Sequence, residues 1–251
     1  MTQHVLQGRD ETETTWFQRR QTLQAAAAWV ALGGWGAAAA QQRSNVVELV
    51  GDVLLNGARL VAGQSVQTGD EIVSGPGSRL TFVLGNAAFH VRQNSRLRVE
   101  RGNSLSTVSG IRLLAGAVGS AFGSGVSRQI VTPTLTVGIR GTGVYTEVMA
   151  NEANRTYFCN CYGTVDLATR GQQVESISSY HQSFWGEVRP REGRFITPAP
   201  ALNHTDEELE FLASLIGQRT AWQVAGRTGV KDGRGYMEQR GPEAHPAAMP
   251  R

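Results

Sequence analysis

The chain has 251 residues, enough for one large domain or two small ones. Hydrophobic residues make up 40% and aromatic residues only 7%, with 30 glycines, so a core here is mainly aliphatic and its chain rich in turns. The net charge is +3, carried almost entirely by arginine because Lys231 is the sole lysine. Nucleic-acid binders concentrate basic residues on one face. The densest basic group is Arg92, Arg96, Arg98 and Arg101, and a strand would place Arg92, Arg96 and Arg98 on one solvated face. Nucleic acid is not an expected partner.

Residues 1–40 read as a targeting sequence. Arg19 and Arg20 precede an apolar stretch, Ala25 to Ala40, that ends in the small residues Ala38, Ala39 and Ala40 ahead of Gln41. A charged region, an apolar region and a small-residue exit, in that order, form a secretory signal. At roughly sixteen residues the apolar stretch is short of the ~20 that span a bilayer comfortably. QRRQTLQ agrees with the twin-arginine pattern at Arg19, Arg20 and Leu23 and departs from it at Gln18, Thr22 and Gln24. The expectation is export to the periplasm by that route. The general secretory route and a retained N-terminal anchor are the alternatives, and contact with a membrane is expected only through these.

From Val46 to Leu167 short apolar runs alternate with glycine-containing turns. VVELVGDVLL, Leu60-Val61, Glu71-Ile72-Val73 and RLTFVL are the runs. Asn56-Gly57, Thr68-Gly69-Asp70, Gly75-Pro76-Gly77 and Gly85-Asn86 are turn signals between them. Strands so spaced predict an all-β sandwich, barrel or solenoid. Leu113 to Gly125 is dominated by small residues and reads as a strand close to its neighbours' backbone or as a loop. In Thr132 to Val148, TPTLTVGIRGTGVYTEV, the β-branched residues favour a strand, and Gly141-Thr142-Gly143 marks a bulge or a close backbone approach.

That last stretch closely resembles the TP…VGVRGT signature of the FecR family, matched here by Thr132, Pro133, Gly138, Arg140, Gly141 and Thr142. VGDVLLN (Val50 to Asn56) is similar to the family's opening strand. Gly69 to Val99, Leu113 to Gly116 and YFCNCYGTVDL (Tyr157 to Leu167) follow its later pattern in order, covering residues 46–170. The resemblance implies a twisted β-solenoid-like stack, or β-roll, and a non-enzymatic sensor or binding domain at the cell envelope. Its implied partner is another envelope protein, such as an outer-membrane transporter's signalling domain. Signalling members carry a cytoplasmic segment that contacts a sigma factor. The two dozen residues ahead of the apolar stretch are too few for a folded domain of that kind, so the sensory part is expected without its own anti-sigma segment. The family's C-terminal secretin/TonB short module is not recognisable either.

Residues 171–225 form an extension. QVESISSYHQSFWGEV (Gln173 to Val188) offers two further strands. A helix is predicted over 205–217, opened by a Thr205/Glu208 capping box and closed by Gly217. Leu209, Leu212 and Ile216 share a face, with Phe211 and Leu215 beside them. Packing of that face on the β-domain is the expectation, and a partner-binding helix is the alternative. Residues 226–251, rich in Gly, Arg, Glu and Pro, read as a disordered tail.

Cys159 and Cys161 are the only cysteines. On a strand, residues two apart project to one face with Cα atoms roughly 6.5–7 Å apart. Three readings stand. A disulfide is the default in an exported protein, although this spacing lies at the far end of the usual range. Two thiolates could hold a transition metal (zinc, copper or iron) with one or two further ligands, for which His181 and His204 are the candidates. Two unpaired structural thiols are the third. His90 falls in a predicted strand and reads as structural. There is no HExxH and no G-x-S-x-G, and adjacent carboxylates such as Asp70-Glu71 face opposite ways on a strand. An enzyme is not expected. Behind the envelope recognition domain stand a periplasmic metal-binding or redox protein using the C-x-C pair and the C-terminal histidines, and a structural cell-wall accessory domain.

Overall fold

A computed structural model describes residues 44–103 and 107–227. The leader with Arg19, Arg20, Leu23, Ala38 and Ala40, and the predicted tail from residue 228 onward, lie outside the described residues.

The fold is all-β with a helical C-terminal segment, and 14 strands make one sheet. They are β1 (Val46–Val50), β2 (Val53–Leu55), β3 (Ala58–Arg59), β4 (Glu71–Ser74), β5 (Arg79–Leu84), β6 (Ala87–Val91) and β7 (Arg96–Arg101). Then follow β8 (Val108–Phe122), β9 (Arg128–Val131), β10 (Thr136–Met149), β11 (Arg155–Ala168), β12 (Gln173–Ser178), β13 (Gln182–Arg191) and β14 (Arg194–Ala199). Two helices close the described chain, α1 (Asp206–Leu215) and α2 (Ala221–Val224). The strand path runs β14-β13-β11-β10-β9-β8-β7-β4-β2-β3, with β1, β5 and β6 joined to β8 and with β12 joined to β11. Among these pairings β8 with β9 is parallel and the others are antiparallel.

The expectation of uniformly short strands is corrected by β8, β10 and β11, which run 15, 14 and 14 residues. Each is bent at a glycine with positive φ and changes neighbour there. On one edge β8 pairs with β7 up to Ala115 and with β6 from Val118, on either side of Gly116 at φ +72°. β10 pairs with β9 up to Ile139 and with β8 from Gly143, around Gly141 at φ +70°. β11 pairs with β13 up to Asn160 and with β12 from Gly163, itself at φ +101°. A side chain at Gly116 would begin 2.3 Å from Ser95 Oγ and 2.6 Å from Asn94 O, so both conformation and space demand glycine. The register shift between Arg140 and Gly143 is the bulge read from Gly141-Thr142-Gly143.

The alternation of the long strands divides the core. One face, with Phe82, Phe89, Val118, Phe122, Val144, Val148, Phe158 and Phe184, builds the main aliphatic and phenyl core. The other face presents Tyr145, Tyr157, Cys159 and Cys161, packed with Leu209 and Trp222, and farther along Ala88 and Ala121 under Phe211, Leu212 and Leu215. The C-terminal helices therefore cover the sheet's second face. The small residues of β8 make this possible: a Cβ at Gly119 would sit 3.2 Å from Leu212 Cδ1. Burying each of Leu209, Phe211, Leu212 and Leu215 stabilises the docked helix by roughly 1.5–3 kcal/mol. The Thr205/Glu208 capping box is present. At the other end Gly217, at φ +69°, donates to Ser214 O and Gln218 donates to Ala213 O, a Schellman ending. No helix among the described residues is long and apolar enough to cross a membrane.

Two local expectations are overturned. Leu60-Val61 is not a strand; Ala58–Arg59 is, and Leu60 turns into the core while its N–H donates to Val53 O. Arg92 does not share an exposed face with Arg96 and Arg98. It follows β6 and is only 5% exposed, its guanidinium donating to Asn203 O at 2.6 Å and Tyr145 Oη at 3.1 Å. Arg96 and Arg98 are exposed on β7, with Arg96 paired to Glu71 at 3.0 Å.

Candidate metal centre

β11 turns Tyr157, Cys159 and Cys161 to the helix-covered face, as the two-residue period requires. Opposite Cys159 on either side lie Tyr145 of β10 and Ser183 of β13. His181 occupies the short connection from β12 to β13. Its backbone is left-handed at φ +38°, and its N–H donates to Cys161 O at 2.9 Å, which hangs the ring over the two thiols. His204 enters from the far end of the chain, after Asn203 at φ +59° and directly before Thr205, the N-cap of α1. Left-handed backbone at a histidine is uncommon and carries strain, which here sets a side chain into a buried site.

The four side chains converge. One ligand atom from each of Cys159, Cys161, His181 and His204 lies within 4.8 Å of all the others. The sulfurs are 3.7 Å apart, Cys159 Sγ is 3.4 Å from His181 Nδ1, Cys161 Sγ is 3.5 Å from His204 Nε2, and those two nitrogens are 3.0 Å apart. All four residues are 0–1% exposed. Both cysteines are free thiols, with sulfurs far beyond the ~2.05 Å of a disulfide.

Each imidazole is fixed from behind. His181 Nε2 donates to Asp206 Oδ1 at 2.7 Å, and Tyr180 Oη donates to the other oxygen of that carboxylate at 2.9 Å. His204 Nδ1 donates to Leu202 O at 2.5 Å. Tyr145 stacks on His204 with centroids 4.8 Å apart, and Trp222 stacks on His181 at 5.3 Å. With the outer nitrogens committed as donors, the inner nitrogens direct lone pairs at one another. Some cation, a proton or a metal ion, has to lie between them.

The electrostatics agree. Burial alone would lower the pKa of His181, but the Cys159 thiolate and the hydrogen-bonded Asp206 carboxylate raise it to about 9. Burial would raise Cys159, yet the hydrogen bond from the Cys161 thiol and the two nearby imidazoles hold it well below the ordinary thiol value. Burial and the adjacent Cys159 thiolate push Cys161 up. With no metal bound, these shifts run toward a thiolate–imidazolium pairing of Cys159 with His181 beside a Cys161 held toward its thiol form.

Tetrahedral zinc, with bonds of about 2.3 Å to sulfur and 2.0–2.1 Å to nitrogen, requires edges of about 3.8 Å (S–S), 3.6 Å (S–N) and 3.3 Å (N–N). Four of the six edges lie within about 0.3 Å of these values, and the two remaining sulfur–nitrogen separations are no more than 4.8 Å, so binding would draw the ligands inward across the cluster. The partners behind the ligands, the Asp206 carboxylate and Leu202 O, are the kind of acceptor to which a metal-bound histidine almost always donates its other ring N–H. Sequence reasoning missed Asp206, Tyr145 and Trp222. Asp206 stands two residues after His204, where it reads simply as a first-turn acid of α1.

The other singled-out residues lie elsewhere. Thr132 and Pro133 form the bend before β10, where Thr132 Oγ1 accepts from Leu135 N–H at 3.0 Å. Gly138 faces Asp166 across the β10–β11 ladder, and Arg140 pairs with that carboxylate at 2.5 Å. Thr142 is fully buried, its methyl 2.6 Å from where a Gly163 side chain would begin. These signature residues shape the strand bends and contribute no ligand. His90, in β6, is buried with Nδ1 2.8 Å from Thr81 Oγ1, in keeping with a structural role.

No protein-family model matches the chain. No curated protein matches it in sequence. Among solved structures it is similar to two crystal structures from Parabacteroides distasonis, at 1.65 and 2.50 Å resolution, each described as "a putative anti-sigma factor". Identity is 13% and the TM-score 0.42 for both, over 53% and 55% of this chain. The alignments cover 60% and 62% of those chains, so this chain spans about three fifths of their length.

Proposed function

We propose that this chain is an exported, non-enzymatic FecR-like recognition domain that carries a structural transition-metal ion, zinc by its ligand chemistry, on Cys159, Cys161, His181 and His204. One observation carries the metal: four buried soft and borderline donors converge within 4.8 Å of one another with both imidazoles already oriented from behind. Two thiolates and two imidazoles in a tetrahedron select zinc over magnesium, calcium or manganese, which take oxygen ligands. Four protein ligands leave no open position for substrate, the mark of a structural and not a catalytic site.

Elemental analysis of the purified full chain tests this reading. One zinc per chain is expected, and Cys159→Ser or Cys161→Ser should lose it. Cobalt(II) in its place should give the strong visible bands of a tetrahedral thiolate site. A chain that folds but takes up neither ion after incubation with each would overturn the proposal.

Recognition of an envelope protein rests on the sequence resemblance over residues 46–170, and periplasmic location rests on the leader pattern at Arg19, Arg20 and Leu23. Crosslinking in cells should capture one defined envelope protein. Arg19→Lys with Arg20→Lys should leave precursor in the cytoplasm. A mature product that is only cytosolic would end the envelope reading and leave the metal reading intact.

A further inference from the structure

The four ligands belong to parts of the chain with very unequal freedom to move. Cys159 sits in the middle of β11, paired with Tyr145 of β10 on one edge and Ser183 of β13 on the other, and Cys161 follows at the bulge between Asn160 and Tyr162, where its carbonyl accepts from His181 N–H. His181 is tethered by strands on both sides. His204 is different. After Ala199 the described chain joins no strand ladder. The segment 200–225 is held on the sheet by side chains: Leu202 N–H to Tyr157 Oη at 2.8 Å, Asn203 Nδ2 to Glu147 at 2.8 Å, Arg92 to Asn203 O, Asp206 to His181, and the apolar face of α1.

We infer that the metal is the latch of this cover: with the ion bound, residues 200–225 stay closed over β8, β10 and β11, and without it they open while the sheet stays folded. The inference rests on the metal reading above and adds what the ion controls. A ligand shifts an equilibrium only by its differential affinity for the two states. Here that difference is built in, because the open state removes His204 from the site and the closed state completes it. Opening is then suppressed in proportion to metal concentration over Kd, about 100-fold at one hundred times Kd. One feature favours opening when the ion leaves: the left-handed backbone at His181 and Asn203 loses the metal bonds that offset its strain. An open cover bares Ala88, Ala117, Ala121, Tyr145 and Tyr157 of the sheet, all buried in the closed form.

Hydrogen exchange read by mass spectrometry on the full chain, zinc-loaded and then stripped by a chelator, tests the latch. Amides of 203–217 should exchange at least ~10-fold faster in the stripped protein, those of β8, β10 and β11 should be unchanged, and added zinc should restore protection. Equal protection at 203–217 in forms measured to hold one zinc and none would overturn the latch but not the site. Loss of protection throughout the sheet would overturn it too, since the ion would then hold the whole fold. Failure to bind zinc at all would overturn both.

Discussion

His181 Nδ1 lies 3.0 Å from His204 Nε2 although each ring already donates from its other nitrogen, to Asp206 and to Leu202 O. Two neutral imidazoles so oriented repel. The contact exists because one end of the chain, brought in by the α1 cap, is pinned against a left-handed turn whose ring is held by a carboxylate. Folding thus brings together, from residues 159 to 206, a buried cluster that could hold a metal ion, and most of what can be tested follows from that juxtaposition.

Asp206 orients His181 and strengthens it as a donor. Asp206→Asn keeps the shape and removes the charge. Zinc affinity should fall by about 10–100-fold, measured by competition with a chromophoric chelator, while circular dichroism stays that of a β protein. Tyr180→Phe, which removes the phenol from the far oxygen of Asp206, should cost less. Equal affinity in Asp206→Asn and the unaltered chain would show the carboxylate to be incidental.

Zinc must displace protons, and the direction follows from the environment of each group. His181 holds its proton up to about 9, and Cys161 is pushed further toward its neutral form, whereas Cys159 is held well below the ordinary thiol value. Near neutral pH, binding should release a proton from His181 and one from Cys161, so affinity should rise about 100-fold per pH unit below pH 9 and less steeply above it. Calorimetric titration in buffers of different ionisation enthalpy counts the protons. For the metal-free protein the sign reverses. A histidine raised from 6.5 to about 9 contributes stability that is complete below 6.5 and disappears as pH rises through 9. Metal-free chain should therefore melt at a lower temperature at pH 9.5 than at pH 7, and zinc should narrow that gap.

How far such a site is legible in sequence depends on range. The shared face of Cys159 and Cys161 follows from the two-residue period of a strand, and the α1 boundaries follow from Thr205, Glu208 and Gly217, which act within one turn. The all-β class is legible because β-branched runs and turn residues recur. The length of β8, β10 and β11 was not, since Gly116, Gly141 and Gly163 look like turn glycines when they are bends inside continuing strands. Left-handed φ is available to glycine in both settings, and only the neighbouring strands decide between them. Arg92 was misread for a similar reason: its burial depends on Asn203, 111 residues away.

The bend glycines give a stability prediction with an internal control. Gly116→Ala places a methyl 2.3–2.6 Å from Ser95 and Asn94 atoms at a φ of +72°, so conformational strain and overpacking add. A loss of at least about 2 kcal/mol is expected. Gly57, at φ +82°, has nothing within 4 Å of an added Cβ, so Gly57→Ala carries the conformational term alone and should lose less. Denaturant midpoints at equal slope compare the two, and a Gly116→Ala chain as stable as Gly57→Ala would contradict the bend assignment.

Thr205 couples the helix to the site because it is both the N-cap of α1 and the residue after His204. Its hydroxyl accepts from Glu208 N–H at 3.2 Å, and its own N–H donates to the Glu208 carboxylate at 2.7 Å. Thr205→Ala removes the first bond and should cost about 1 kcal/mol of helix stability. If α1 presents His204 to the cluster, part of that loss has to appear as weaker zinc binding, up to about fivefold for a full 1 kcal/mol. Thr220→Ala serves as the comparison. It removes the equivalent cap of α2, where the hydroxyl accepts from Gln223 N–H at 3.4 Å, but Thr220 adjoins no ligand. Thr205→Ala should shift the chelator competition curve more than Thr220→Ala does, and equal shifts would show that the cap holds the helix without aiming the histidine.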